Sequence, residues 1–187
     1  YINFTSIPHT SFAAIEGMYE RTITINGLSK AFAMTGWRIG YLAAPEWIAK
    51  ACNKVQGQIT SGTNAIAQRA AIAALKAPKS EIQYMIDEFK KRRDLVLALL
   101  SEVEGLKVNV PEGAFYVFPD VSSFFGKTLR GRTIGNASDF SLYLLEEAMV
   151  ATVTGEAFGD ANCIRISYAA SEKELREAIR RIKESLA

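Results

Sequence analysis

Two periodicities alternate along the chain. Short β-branched or alternating runs are separated by longer stretches whose apolar residues recur at helical spacing, the pattern of an α/β protein. Arg21-Thr22-Ile23-Thr24-Ile25 reads as a strand that the Asn26-Gly27 pair ends as a turn, and Tyr41-Leu42-Ala43-Ala44 reads as a second strand. Pro45-Glu46 starts a helix carrying Trp47, Ile48, Ala51 and Val55. Residues 63–76 are alanine-rich and helix-prone, and Ser61-Gly62-Thr63-Asn64 ahead of them suit an amino-terminal cap. After Pro78, Ser80 and Gln83 have the spacing of a capping box. Ile82, Met85, Ile86, Phe89, Val96, Leu99 and Leu100 then share one face of the longest helix, which Gly105 stops.

The second half changes element type more often. Residues 107–110 and 114–118 suggest strands around a Pro111-Glu112-Gly113 turn, and residues 139–149 a helix capped by Asn136 or Ser138. Residues 151–154 and 163–168 suggest further strands. The last helix has Ser171 and Glu174 as a capping box, with Leu175, Ala178, Ile179 and Ile182 on one face.

Composition narrows the function classes. A chain of 187 residues with 49% hydrophobic content can bury one sizeable core or two small ones. Its 22 basic and 20 acidic residues leave a net charge of +2, so no global field points to nucleic acid or an anionic membrane. The longest apolar runs are too short to span a bilayer. Cys52 and Cys163 have no CxxC spacing, and the single His9 gives them no ligand partner, so no metal site is expected. They read as reduced thiols of a cytoplasmic protein.

Candidate chemistry is concentrated in Asn26-Gly27-Leu28-Ser29-Lys30-Ala31-Phe32-Ala33-Met34-Thr35-Gly36-Trp37-Arg38-Ile39-Gly40-Tyr41. Lys30 falls beyond the carboxyl end of a strand, where open α/β sheets bind ligands. A lysine amine becomes a Schiff-base nucleophile when burial or a nearby cation disfavours its ammonium form. Arg38 is such a cation, although its planar fork suits a phosphate better. A second candidate, Arg165, lies in Ile164-Arg165-Ile166-Ser167-Tyr168. A guanidinium in an apolar setting must meet a carboxylate, either the protein's or a ligand's.

The Lys30 segment resembles the lysine segment of the fold-type I pyridoxal-phosphate (PLP) aminotransferases, close to the aspartate aminotransferase branch. That resemblance implies that Lys30 attaches the cofactor covalently, that Arg38 grips its phosphate and that Ser29 donates a hydrogen bond to it. Arg165-Ile166-Ser167-Tyr168-Ala169-Ala170-Ser171 resembles the family's arginine motif, which implies that Arg165 binds the substrate α-carboxylate. Pro111 to Pro119 and Gly155-Glu156-Ala157-Phe158-Gly159 resemble a small-domain strand and a glycine-bounded loop near the substrate. Both segments read as shaping the site rather than catalysing. The family loop usually has proline-glycine where this chain has Thr154-Gly155, a change that loosens it. Ser61 to Asn64 resembles a stretch near the dimer interface.

The implied architecture is the PLP-dependent transferase fold type I. Residues 1–92 would be the carboxyl-terminal part of the PLP-binding large domain and 93–187 the small α/β domain, the long helix joining them. The implied reaction transfers an amino group between an L-amino acid, aspartate first, and a 2-oxo acid such as 2-oxoglutarate, in a homodimer. Another PLP reaction on the same fold and a noncatalytic interaction fragment are the alternatives. The chain starts at Tyr1 and reaches the lysine motif after 29 residues, so it reads as the carboxyl-terminal part of a larger enzyme. The family's partners for the pyridine ring would then precede Tyr1, and the isolated chain is expected to be inactive.

Overall fold

Local signals set most of the helices. In the computed structural model, which describes residues 1–187, α2 spans Glu46–Thr60, α3 Ala65–Lys76, α4 Ser80–Leu100, α5 Ala137–Glu147 and α6 Glu172–Leu186, after a single short turn of helix, α1, at Leu28–Ala31. Three caps follow the sequence. Asn64 accepts from Ala67 N–H, Asn136 accepts from Asp139 N–H, and Ser171 with Glu174 forms a full capping box. Each satisfies amide donors that the first turn leaves without helical partners. The start of α4 differs from expectation. Ser80 is already helical, and Glu81 and Ile82 donate to the carbonyls of Pro78 and Lys79 at 3.0 and 3.1 Å.

Seven short strands complete the fold: β1 Thr24–Gly27, β2 Gly40–Ala43, β3 Tyr116–Val117, β4 Thr128–Leu129, β5 Arg132–Thr133, β6 Val153–Thr154 and β7 Ile164–Ser167. The backbone divides into two compact units, Asn3–Tyr84 with Tyr1, and Met85–Ala187 with Ile2. The division falls inside α4, which continues unbroken through residues 92 and 93.

In the first unit β1 and β2 form an antiparallel pair with Thr24 opposite Ala43 and Gly27 opposite Gly40. The first strand therefore begins later than the sequence suggests, and Asn26-Gly27 belongs to it instead of turning. Arg21 closes a 3-10 turn, Tyr19–Arg21. Gly27 is extended at φ −142°, and the Asn26 carboxamide accepts its N–H at 2.8 Å, so the side chain supplies locally what a turn would have. Leu28, Met34 and Ala71 make this unit's small core, flanked by Phe32, Ile39, Ala70 and Ala74. The apolar residues of α2 are not buried: Trp47 and Ile59 are each 72% exposed.

The second unit holds the larger core. A three-stranded antiparallel sheet of order β3-β7-β6 packs Ile164 and Ile166 into a cluster with Phe140, Tyr143 and Leu144 of α5 and Ile182 of α6. Tyr143 donates its buried hydroxyl hydrogen to the Ser185 carbonyl of α6, fixing the two helices against each other. Two strand expectations change here. Residues 107–110 form no strand, because Lys107 makes a single bridge to Asp120, and of 114–118 only Tyr116–Val117 pairs. The β4–β5 hairpin was not foreseen. Arg130 and Gly131, at φ 47° and 83°, turn it without the Asn-Gly signature that marks such turns in sequence.

Candidate active site

Lys30 is carried by a closed loop. Residues 28–39 leave the end of β1 and return at the start of β2, and Leu28 N–H donates to Ile39 O at 3.4 Å where the loop closes. Leu28 and Ala31 point into the core, at 1% and 6% exposure, which turns Ser29 and Lys30 to the other side of α1. Ser29 is half-buried and Lys30 exposed. Lys30 O accepts from Ala33 N–H at 3.3 Å, ending α1 directly after the candidate nucleophile.

Arg38 stands at the far end of the same loop. It follows a 3-10 turn, Thr35–Trp37, and its backbone is held left-handed at φ 49°, ψ 53°. That conformation costs a side-chain-bearing residue about 1 kcal/mol or more, and such strain persists where surrounding structure over-determines it. One guanidinium nitrogen donates to Thr35 O at 2.9 Å, which uses one donor and leaves the charge without a carboxylate partner. Arg38, Gly36, Trp37, Gln56, Thr60 and Asn64 line an open cleft of about 840 Å³. Lys30 is not among the residues lining it. An exposed amine after a strand end and an arginine with free donors on one short loop are the donor types a phosphate-bearing aldehyde calls for, the amine to add to the carbonyl and the fork to take the anion.

Arg165 belongs to the second unit, on the central strand β7, opposite Val153 of β6. Strand alternation decides its surroundings. Ile164 and Ile166 project into the core, so Arg165 and Ser167 project from the other face and the neighbouring isoleucines do not enclose the charge. Its guanidinium carbon lies 4.5 Å from the centre of the Tyr116 ring and 4.3 Å from that of Phe158. Arg165 is half-buried, and no protein carboxylate pairs with it. Of the two partners that chemistry allows a guanidinium in such a place, the protein's own carboxylate is missing.

Tyr116 and Phe158 were not singled out from sequence, although each lies in a segment assigned to shape. The available signal was aromatic content: Phe115, Tyr116 and Phe118 in the first segment and Phe158 in the second. Phe158 ends a 3-10 turn, Gly155–Phe158, closed by Gly159 at φ 91°. The turn is tied to the sheet by Gly155 N–H, which donates to Cys163 O at 2.7 Å, and by Asp160 N–H, which donates to Gly155 O at 3.2 Å. Thr154 in place of proline does not loosen it: Thr154 is paired in β6, opposite Ile164. Cys163 is buried beside it, and burial, with Asp160 adding to it, pushes its thiol up to about 11.

No cluster of histidine, cysteine or acidic side chains is arranged to hold a metal ion, and no helix is long and apolar enough to cross a membrane. Comparison with known proteins gives a consistent result. The family model for aminotransferase class I and II matches residues 1–182. A bifunctional aspartate aminotransferase and glutamate/aspartate-prephenate aminotransferase of Petunia hybrida is 49% identical over all of this chain, which covers 40% of that relative. An aspartate aminotransferase of Rhizobium meliloti is 49% identical over 89% of this chain, covering 41% of the relative. Among solved structures, the aspartate aminotransferase from Rhizobium meliloti superposes with a TM-score of 0.94 at 44% identity, over 99% of this chain and 47% of that one. An aromatic aminotransferase from Pyrococcus horikoshii gives 0.86 at 41% identity, over 99% of this chain and 48% of that one. The chain thus spans about two-fifths of the length of the curated relatives it matches.

Proposed function

The chain belongs to the class I and II aminotransferases, of PLP-dependent transferase fold type I, and from that premise we propose that it supplies the lysine and both arginines of a PLP-dependent aminotransferase. Lys30 holds the cofactor through its Nζ, and Ser29 and Arg38 take the phosphate. Arg165 clamps the α-carboxylate of the amino acid and, in the return half-reaction, of the 2-oxo acid. The observation that carries this reading is the Arg165 guanidinium, in contact with two rings and with no carboxylate of its own.

Bound PLP supplies an electron sink that makes the substrate α-proton removable. The chain's own residues do the rest. Lys30 Nζ moves that proton, from a side chain that is exposed on the outer side of α1. Arg38 contributes an always-charged fork and Ser29 a hydroxyl donor, so the phosphate is anchored without using the lysine. Arg165 orients the substrate by two parallel N–H donors, which fixes the bonds around the α-carbon. The names of the relatives support aspartate as amino donor; 2-oxoglutarate as acceptor is part of the proposal. A homodimer is part of the proposal, as is a cytoplasmic location, which the two free cysteines support.

The test uses the full polypeptide that contains residues 1–187. Incubation with PLP followed by borohydride should leave a covalent label that peptide mapping finds on Lys30. The same preparation should exchange amino groups between aspartate and 2-oxoglutarate, and Lys30→Ala should not. A label on another lysine, or turnover retained by Lys30→Ala, refutes the assignment.

A further inference from the structure

We propose that Phe158 and Tyr116 are positioning residues for substrate recognition: their rings hold the Arg165 guanidinium in one plane and aim its donors at an incoming carboxylate. This deepens the reading of Arg165 as the carboxylate clamp and rests on it.

The geometry comes from three separated stretches of chain. Tyr116 pairs directly with Ser167, two residues beyond Arg165 on the same face of β7, so its ring is a diagonal neighbour of the arginine. The second ring comes from the turn after β6, where backbone hydrogen bonds to Cys163 and within the turn hold Phe158 against the guanidinium. Each ring is itself backed by another. Phe115 lies 4.4 Å from Tyr116 and Phe89 lies 5.4 Å from Phe115, while Phe118 meets Phe158 edge-on at 6.3 Å. Both rings that meet the guanidinium are therefore braced by a further aromatic side chain.

A ring face attracts a cation without accepting its N–H hydrogens in the plane. Two faces thus steady the charge and leave the in-plane donors unspent. An acidic partner in the same place would steady it equally well but would occupy those donors, and the substrate would have to displace it. The rings also restrict the side chain's torsions before the ligand arrives, so less freedom is lost on binding. Arginine suits this role and lysine does not, because only a planar cation presents two faces to rings and an edge to a carboxylate.

The experiment compares two substrates on the PLP-loaded full polypeptide: alanine, and ethylamine, the same amine without the carboxylate. Phe158→Leu and Tyr116→Leu should each lower kcat/KM for alanine by about tenfold, mainly through KM, the size expected when one cation–ring contact is lost. Activity toward ethylamine should be unchanged. Phe158→Trp and Tyr116→Phe, which keep a ring, should restore the alanine value. Phe158 is 48% exposed, so its replacement leaves the core intact. Arg165→Ala serves as the reference. If it loses nothing specific to the carboxylate, the clamp reading itself is wrong. If Arg165→Ala shows that loss while both leucine variants match the parent, or lose equally on both substrates, the clamp stands and the role given to the rings is overturned.

Discussion

Gly155→Ala should be among the most damaging single-methyl additions this chain can receive. A Cβ at Gly155 would lie 2.3 Å from Asp160 O, 2.4 Å from Cys163 O and 2.8 Å from Cys163 C. All three are backbone atoms, so no side chain can rotate away, and the turn must move by about 1 Å to reach ordinary contact distance. Overpacking of this kind costs about 1–3 kcal/mol. The movement also pulls on the 2.7 Å bond from Gly155 N–H to Cys163 O, worth about 1 kcal/mol. A total near 3 kcal/mol lowers the melting temperature of a chain this size by about 6–12 °C. Gly159→Ala is the control. Its φ of 91° disfavours a side chain, but nothing lies within 4 Å of the added carbon, so only the conformational cost of about 1 kcal/mol applies. Thermal unfolding followed by circular dichroism, with all variants at one protein concentration, measures both. Equal melting temperatures for the two variants would refute the claim that close backbone approach, rather than dihedral freedom, demands glycine at 155.

Ser171→Ala removes the capping box of α6, including the 2.8 Å contact from Ser171 Oγ to Glu174, and should cost about 1 kcal/mol in urea denaturation. Cys163 should resist alkylation at pH 8 until the protein unfolds. Its folded-state pKa is raised from 9.0 to about 11, so the stability tied to its protonated form is intact below pH 9 and lost as pH rises from 9 to 11. Cys163→Ala should flatten the pH 9–10 part of that decline, below the range where Tyr168, pushed by burial up to about 12, begins to contribute. Arg38→Ala should weaken PLP affinity, whereas Arg165→Ala should mainly lower kcat/KM for amino acids; equal cofactor losses in both would contradict the division of roles. Arg165→Lys should not restore activity, since a point charge offers neither the planar faces nor the fork.

The helices were legible in the sequence because their signals are local. Amphipathic spacing places α4 and α6, and local caps place the start of α6 at Ser171 and narrow those of α3 and α5 to residues 61–64 and to Asn136 or Ser138, of which the structure uses Asn64 and Asn136. The Lys30 to Arg38 segment was legible for the same reason, since both candidate residues lie on one short loop and the family resemblance rests on contiguous residues. Tertiary structure decided the strands. Strand limits depend on distant partners: the register against Gly40–Ala43 carries β1 through Asn26-Gly27, and Lys107 spends its pairing on Asp120. It also decided what surrounds Arg165. The sequence sets isoleucines beside that arginine, yet packing turns them into the core and brings up rings from residues 116 and 158 instead. No local pattern encodes such a meeting, because cation–ring contacts carry no sequence spacing and form only when three separate stretches are brought together on one sheet.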